Sequence, residues 1–151
     1  MTAPTIHATA LLVGHLGILI RGPSGAGKSR LALALLQGPG TGFSRLVGDD
    51  RICLEARNGR LLMRPPAALA GLIEVRGFGV VRMPSEAVAV AHVVVDLGAA
   101  DATRLPEPSA AIAEIEGVRL ARLPVAEGGD PLLLLRAFLQ YGATLPGAEA
   151  T

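Results

Sequence analysis

The first part of the chain alternates apolar runs with glycine-rich breaks. Thr9–Val13 and Leu16–Ile20 are apolar runs joined by a pair that begins with Gly14, and this spacing predicts two strands connected by a tight hairpin turn. Leucines then recur among alanines at helical spacing, which predicts a helix over Lys28–Gln37. We expect the Gly-Pro-Gly sequence at 38–40 to end that helix.

The rest of the chain predicts further strands and a closing helix. The predicted strands are Leu46–Asp50, Ile52–Ala56, Arg60–Arg64, Leu72–Val75, Val88–Leu97 and Val118–Val125. Asn58-Gly59 predicts a hairpin turn, and Asp130-Pro131 offers a cap and a first residue for a helix over Pro131–Tyr141. The pattern predicts an α/β fold: a twisted sheet with edge hairpins and flanking helices in one domain, residues 1–142, followed by a disordered tail, 143–151.

Composition narrows the class of protein. The chain has 151 residues, of which 50% are hydrophobic and 18% charged, and its formal net charge is +1. These values exclude a disordered chain and argue against a nucleic-acid-binding module, which needs a clustered basic face. Cys53 is the single cysteine, which fits a reducing compartment. Because we find neither a secretory signal nor an apolar run long enough to cross a bilayer, we expect a cytoplasmic protein without a membrane partner.

A phosphate-binding loop is the strongest chemical signal. Residues Gly22, Pro23, Ser24, Gly25, Ala26, Gly27, Lys28 and Ser29 fit the pattern G-x-x-x-x-G-K-[ST]. The loop follows a predicted strand and precedes a predicted helix, as the pattern requires. Glycine lets successive backbone N–H groups turn towards phosphate oxygens, and the helix N-terminus favours the same anion. We therefore expect Lys28 to bind the β- and γ-phosphates of ATP, or pyrophosphate, and Ser29 to ligate Mg²⁺.

Acidic residues near this loop are candidates for catalysis. Asp49 and Asp50 end a predicted strand, where a carboxylate could hold Mg²⁺ or accept a proton from an acceptor hydroxyl. Since neighbouring strand residues point to opposite faces, only one of the two can face the phosphates unless the strand ends between them. Glu74 is a second metal-ligand candidate because a carboxylate inside an apolar strand needs a partner, and Arg76 is a candidate phosphate clamp. The alternatives are a solvated Asp-Asp turn and a surface Glu74–Arg76 ion pair.

Four features in order resemble the catalytic domain of the HPr kinase/phosphorylase family, in a short form without the N-terminal domain. They are His7, the loop Gly22–Ser29, Val47-Gly48-Asp49-Asp50, and Leu72–Gly79, which is similar to the family signature L-E-I-R-G-L-G. The resemblance extends over about residues 5–142. It implies an ATP- and Mg²⁺-dependent serine kinase that acts on the phosphocarrier HPr or its nitrogen-related counterpart, and that can remove the phosphate by phosphorolysis.

The resemblance also implies roles for individual residues. By position, Asp50 is the base that accepts the serine proton and the donor in the reverse reaction. Lys28 binds the transferred phosphoryl group, Ser29 and Glu74 are the Mg²⁺ ligands, and His7 is the active-site histidine. Full-length relatives form hexamers, so the resemblance also implies a homo-oligomer.

The sequence departs from the family pattern near its closing helix. Gly129 occupies the position of an active-site arginine, for which Arg119, Arg122 or Arg136 are the candidate substitutes. Two alternatives therefore stay open. One is a phosphotransferase with another acceptor, and the other is a nucleotide-binding regulatory module with weak catalysis.

Overall fold

The computed structural model describes residues 4–37 and 42–142, which form ten strands and two α-helices. The strands are β1 (Thr5–Val13), β2 (Leu16–Arg21), β3 (Ser44–Gly48), β4 (Arg51–Arg57), β5 (Arg60–Arg64), β6 (Leu72–Val75), β7 (Gly79–Arg82), β8 (Ala89–Leu97), β9 (Ile112–Ile115) and β10 (Val118–Val125). The helices are α1 (Lys28–Gln37) and α2 (Pro131–Tyr141), and 3₁₀ turns occupy Ala67–Leu69 and Pro108–Ala111. The molecule thus has the mixed α/β class that its sequence predicts.

Six strands form a central sheet in the spatial order β3-β1-β2-β8-β10-β9. β2, β8 and β10 run parallel, whereas β1, β3 and β9 are antiparallel to their neighbours. Gly17 permits the close approach of β2 to β8, since a Cβ atom there would lie 1.9 Å from the carbonyl oxygen of Val90. β2 consequently lies inside the sheet and delivers the chain to the loop before α1.

Both faces of the central sheet are buried. Leu31 and Leu35 of α1 and Leu135 of α2 pack on one face together with Val93 and Val95. Val94 points to the opposite face and joins a second apolar cluster. This two-sided burial explains why β8 is a nearly continuous apolar run rather than an alternating one.

The β4–β5 hairpin covers the second face of the sheet. Asn58 and Gly59 both have positive φ, 53° and 76°, as a two-residue hairpin turn of the predicted type requires. β4 pairs with the beginning of β1, and β5 pairs with the beginning of β8. The hairpin therefore closes over the sheet, whereas the sequence analysis predicts hairpins only at its edge.

The structure differs from the sequence-based prediction at several boundaries. The third strand ends at Gly48, before both acids, and β7 and β9 were not predicted as strands. The predicted helix stop at 38–40 and the predicted tail 143–151 lie outside the described residues. Within the described ranges, no helix has the length and apolar character that crossing a membrane requires.

Candidate active site

The loop 22–27 connects the end of β2 to the first residue of α1. Gly25 and Gly27 have φ values of 84° and 100°, a region that L side chains rarely adopt. No atom lies within 4 Å of the position that a Cβ atom would take on Gly27, so its backbone conformation, not a lack of space, favours glycine there. The predicted order of strand, glycine-rich loop and helix is therefore present.

The Lys28 side chain turns back across this loop. Its ammonium donates hydrogen bonds to the carbonyl oxygens of Gly22 at 2.8 Å and Pro23 at 3.1 Å, and the residue is only 7% exposed. Burial lowers the pKa of Lys28, while the nearby charges of Asp49 and Asp50 oppose that shift. An ammonium has three protons to donate, and these two bonds use two of them.

Asp49 is a buried carboxylate, 5% exposed, on which three chain segments converge. Its Oδ1 atom accepts hydrogen bonds from the hydroxyls of Thr9 at 2.7 Å and Ser29 at 2.8 Å. Its Oδ2 atom accepts the backbone N–H of Glu74 at 3.0 Å. Asp49 thereby connects β1, α1 and β6. Thr9 was missed as a site residue because a threonine within a strand carries no signal beyond its strand preference.

Asp50 lies in a tight turn directly after Asp49. Its φ is 71°, and the N–H of Arg51 donates to the carbonyl oxygen of Asp49 at 2.9 Å, which closes a three-residue turn around Asp50. The Asp50 side chain is 66% exposed, and its Oδ1 atom lies 3.5 Å from Nε2 of His7. The prediction that strand alternation separates the two acids is wrong, because the strand ends before both; the turn buries Asp49 and leaves Asp50 exposed.

Glu74 and Arg76 lie on and beside the β6–β7 hairpin, which forms a separate two-stranded sheet. The Glu74 side chain is exposed, so the expectation that it is a buried carboxylate is wrong; along β6 only Ile73 is buried. Among the described residues, neither Glu74 nor Arg76 has an ion-pair partner, which excludes the alternative Glu74–Arg76 pair. Nη1 of Arg76 lies 3.7 Å from the position that a Cβ atom would take on Gly25, so the guanidinium overhangs the glycine loop.

One cavity of about 1130 Å³ brings most of the predicted site residues together. Its lining includes His7, Ser24, Gly25, Ala26, Gly27, Lys28, Ser29, Asp49, Asp50, Glu74 and Arg76. Gly22 and Pro23 are not part of this lining, although their carbonyl oxygens hold Lys28. The described residues contain no cluster of three or more His, Cys, Asp or Glu side chains that could hold a metal by themselves.

Gly129 lines the same cavity, but none of the proposed substitute arginines does. Arg122 is bound to Asp96 and Asp101 instead. A Cβ atom on Gly129 would lie 2.9 Å from the backbone oxygen of Ala126, so this loop conformation has no room for a side chain at 129. The arginines that line the cavity are Arg76, the predicted phosphate clamp, and Arg30, which was not predicted as a site residue.

Comparisons of the sequence with known proteins identify relatives of this chain. The family model described as "HPr Serine kinase C-terminal domain" matches residues 2–91. The chain is 39% identical over 80 residues to the HPr kinase/phosphorylase of Clostridium tetani, a match that covers 53% of this chain and 25% of that protein. It is 39% identical over 75 residues to the HPr kinase/phosphorylase of Mycoplasma mycoides, which covers 49% and 22%. The chain thus aligns with about a quarter of the length of these curated relatives.

A solved structure extends the likeness of fold beyond the aligned sequence. The HPr(Ser) kinase/phosphatase from Coxiella burnetii superposes with a TM-score of 0.76 over 92% of this chain and 95% of that one. The sequence identity in this superposition is 24%, so it establishes the arrangement of strands and helices alone.

Proposed function

The chain belongs to the HPr serine kinase C-terminal domain family, and from this premise we propose that it transfers the γ-phosphoryl group of ATP to a serine of HPr or of its nitrogen-related counterpart. The observation that carries the proposal is the convergence of His7, Lys28, Asp50 and Glu74 on one cavity beside the glycine loop. Phosphoryl transfer depends mainly on alignment and charge stabilisation, and this cavity contains groups for both.

Binding of the triphosphate is proposed for the loop 22–29. The left-handed glycines allow backbone amides to face an anion, and α1 adds the positive end of its dipole. Lys28 retains one ammonium proton beyond its two bonds to the loop, and that proton can reach a phosphate oxygen. Arg76 overhangs Gly25 without a carboxylate partner among the described residues, so its guanidinium is available for the same phosphates.

Asp50 is the proposed proton acceptor. Its carboxylate lines the cavity, and its charge partly opposes the lowering of the Lys28 pKa by burial. The serine oxygen attacks the γ-phosphorus, its proton passes to Asp50, and the bond to the β-phosphate oxygen breaks to release ADP. His7, 3.5 Å away, orients the carboxylate. A non-glycine residue at φ 71° is strained, which is common where a side chain must be aimed at a reaction centre.

Magnesium is proposed to bind at Ser29 and Glu74. The hydroxyl of Ser29 donates its proton to Asp49, which leaves its lone pairs for a cation, and the Glu74 carboxylate lines the same cavity. A small number of oxygen ligands suits Mg²⁺, which usually keeps several waters and binds mainly through phosphates. When bound, the ion would neutralise charge on the β- and γ-phosphates.

The direct test is phosphorylation of HPr with γ-labelled ATP and Mg²⁺. We expect label on the wild-type carrier and none on a carrier whose acceptor serine is replaced by alanine. Absence of label on wild-type HPr, with ATP shown to be bound, would overturn the choice of acceptor. Label on another protein or a small molecule in the same assay would identify a phosphotransferase of different specificity.

A second candidate, a nucleotide-binding regulatory module with weak catalysis, is favoured by Gly129. The loop that holds this residue cannot accept an arginine without moving the Ala126 carbonyl. If the protein is such a regulatory module, we expect it to bind ATP tightly and to hydrolyse or transfer little of it. We also expect that inorganic phosphate, which would attack the seryl phosphate and release pyrophosphate while Asp50 returns the proton, gives little phosphorolysis.

A further inference from the structure

A second cavity, of about 320 Å³, adjoins the other side of the glycine loop. It lies between the segment 23–26, the beginning of the turn after β8, and the segment between β10 and α2. It shares Ser24–Ala26 and Gly128–Gly129 with the larger cavity, so the two spaces flank the same stretch of loop.

The two cavities differ in the ionisable residues that line them. His7, Lys28 and three aspartates line the larger cavity and are absent from the lining of the smaller one; the aspartates are Asp49, Asp50 and Asp130. In the part of the chain that the structure describes, Glu127 is the one ionisable residue that lines the smaller cavity. The rest of that lining combines apolar side chains, such as Leu97 and Val125, with the hydroxyl-bearing Ser24 and with glycine backbone. A pocket that mixes apolar side chains with backbone and hydroxyl polar groups, and that has no cationic side chain among the described residues of its lining, suits an organic ligand rather than a free anion.

Resting on the proposed ATP-dependent transfer, we propose that this smaller cavity is the subsite for the nucleoside part of ATP, and that Glu127 accepts hydrogen bonds from its ribose hydroxyls. In an in-line transfer the attacking and leaving oxygens lie on opposite sides of the phosphorus. His7 and Asp50 mark the side of the acceptor, so the leaving nucleotide extends away from them. The smaller cavity borders the same loop and is lined by neither His7 nor Asp50, so it offers the nucleotide a place away from the acceptor side.

Size and chemistry both suit this ligand. The volume of the smaller cavity is at the lower end of the range of about 300–1,000 Å³ for ligand pockets, which fits a nucleoside rather than a peptide. The ring of Pro23 and the aliphatic side chains of Leu97 and Val125 offer apolar contact to a base. A carboxylate next to a phosphate-binding loop is also the group that binds ribose hydroxyls in dinucleotide-binding folds.

The test compares three Mg²⁺-loaded ligands by calorimetry: ATP, 2′-deoxy-ATP and tripolyphosphate. Wild-type protein is expected to bind ATP at least about tenfold more tightly than tripolyphosphate. Ala126→Phe places an aromatic ring at the wall of the smaller cavity and should weaken ATP about tenfold while changing tripolyphosphate affinity less than about twofold. Ala100→Phe, an exposed position outside both linings, is the matched control and should change neither.

Glu127→Gln separates the ribose contact from simple filling of the pocket. It should weaken ATP about fivefold to tenfold, and the loss should shrink when 2′-deoxy-ATP is the ligand, since one hydroxyl is already missing. Glu114→Gln, an exposed acid outside both cavities, is its control. Equal losses with ATP and 2′-deoxy-ATP would overturn the assignment of Glu127 to the 2′-hydroxyl.

The same measurements distinguish failure of the subsite from failure of the proposed function. Tripolyphosphate that binds as tightly as ATP, or an Ala126→Phe variant that changes both ligands equally, would overturn the nucleoside subsite and leave the phosphate loop intact. Wild-type protein that binds neither ligand would contradict the triphosphate site itself, and with it both proposals.

Discussion

Two largely buried aspartates, Asp49 and Asp96, lie near opposite faces of the central sheet and have different partners. Asp49 accepts hydrogen bonds from two hydroxyls and one backbone amide. Asp96 follows Val95, which points to the helix face, so strand alternation directs its side chain to the other face. There it accepts hydrogen bonds from Arg21 at 2.7 and 2.8 Å and from Arg122 at 2.6 Å.

The difference separates a structural carboxylate from one that is available for chemistry. Two guanidinium groups neutralise Asp96, and Arg122 also binds Asp101 and the carbonyl oxygen of Ala110, which fastens the segment 98–111 to β10. Neutral donors hold Asp49 in place but leave its charge uncompensated by direct contact. Its field reaches Lys28 in the cavity, as does that of Asp50. Because no cationic group contacts Asp49 directly in the described structure, its negative charge can attract a bound cation, whereas the charge of Asp96 is already neutralised.

The largest effect is expected at Asp50, the exposed neighbour of Asp49. Asp50→Asn keeps the shape of the side chain but removes its basicity, so we expect kcat for HPr phosphorylation to fall by about 10²–10⁴-fold with ATP affinity nearly unchanged. Asp101→Asn removes an exposed carboxylate from the other cluster and should leave kcat unaltered. Steady-state kinetics together with ATP calorimetry provide the measurement, and a variant as active as wild type would remove Asp50 from the mechanism.

Asp96→Ala should affect stability instead of turnover. It leaves two guanidinium groups without their shared partner in a largely buried setting, which we expect to lower the free energy of unfolding by about 2–4 kcal/mol. Urea unfolding measures the loss, and Asp101→Ala, an exposed member of the same cluster, should lose much less. Activity per folded molecule should remain near that of wild type. An Asp96→Ala protein that is stable but inactive would contradict the division between the two aspartates.

Local structure was largely predictable from the sequence. The bounds of α1 and α2, the cap of Asp130 on the N–H of Leu133, and the positive φ of Asn58 and Gly59 follow from signals only a few residues long. The glycine-rich loop between β2 and α1 was predictable for the same reason, since its glycines and Lys28 lie within the single short stretch Gly22–Ser29.

Contacts between distant segments were not predictable in this way. Thr9 and Asp49 are forty residues apart, and a threonine in a strand does not reveal the carboxylate it will bind. The burial of Glu74 was predicted from its apolar neighbours, but among the strands of residues 4–37 and 42–142 β6 pairs only with β7, and the Glu74 side chain is exposed. The separation of Asp49 from Asp50 depends on a turn that ends the strand early, which strand periodicity cannot reveal.

The arginines differ in the same way as the two aspartates, and the effect expected from them is intermediate in size. Arg21 and Arg122 have carboxylate partners, whereas Arg76 has none among the described residues and overhangs Gly25. Arg76→Gln should therefore weaken binding of ATP and tripolyphosphate alike, by about tenfold, because a charge-assisted contact to phosphate is lost. Arg82→Gln, an exposed change on the same hairpin outside the cavities, is the control. If calorimetry shows that Arg76→Gln and Arg82→Gln bind ATP and tripolyphosphate equally tightly, Arg76 does not contact the phosphates.

The smallest effect is the pH dependence of the Asp96 cluster. Burial raises the pKa of Asp96, but hydrogen bonds and charge from Arg21 and Arg122 outweigh it and hold the pKa below its usual value. A carboxyl group with a lowered pKa in the folded state stabilises the protein above its unfolded pKa of about 3.9, and that contribution is lost as the pH falls through the folded value. Arg122 also lowers the pKa of Asp101, but Asp101 is present in both proteins, so the difference between wild type and Asp96→Asn isolates the contribution of Asp96. We therefore expect the stability difference between wild type and Asp96→Asn, measured by urea unfolding from pH 7 to pH 3, to stay constant down to about pH 4 and to shrink below it. A difference that remained constant to pH 3 would show that the guanidinium groups do not shift this carboxyl group.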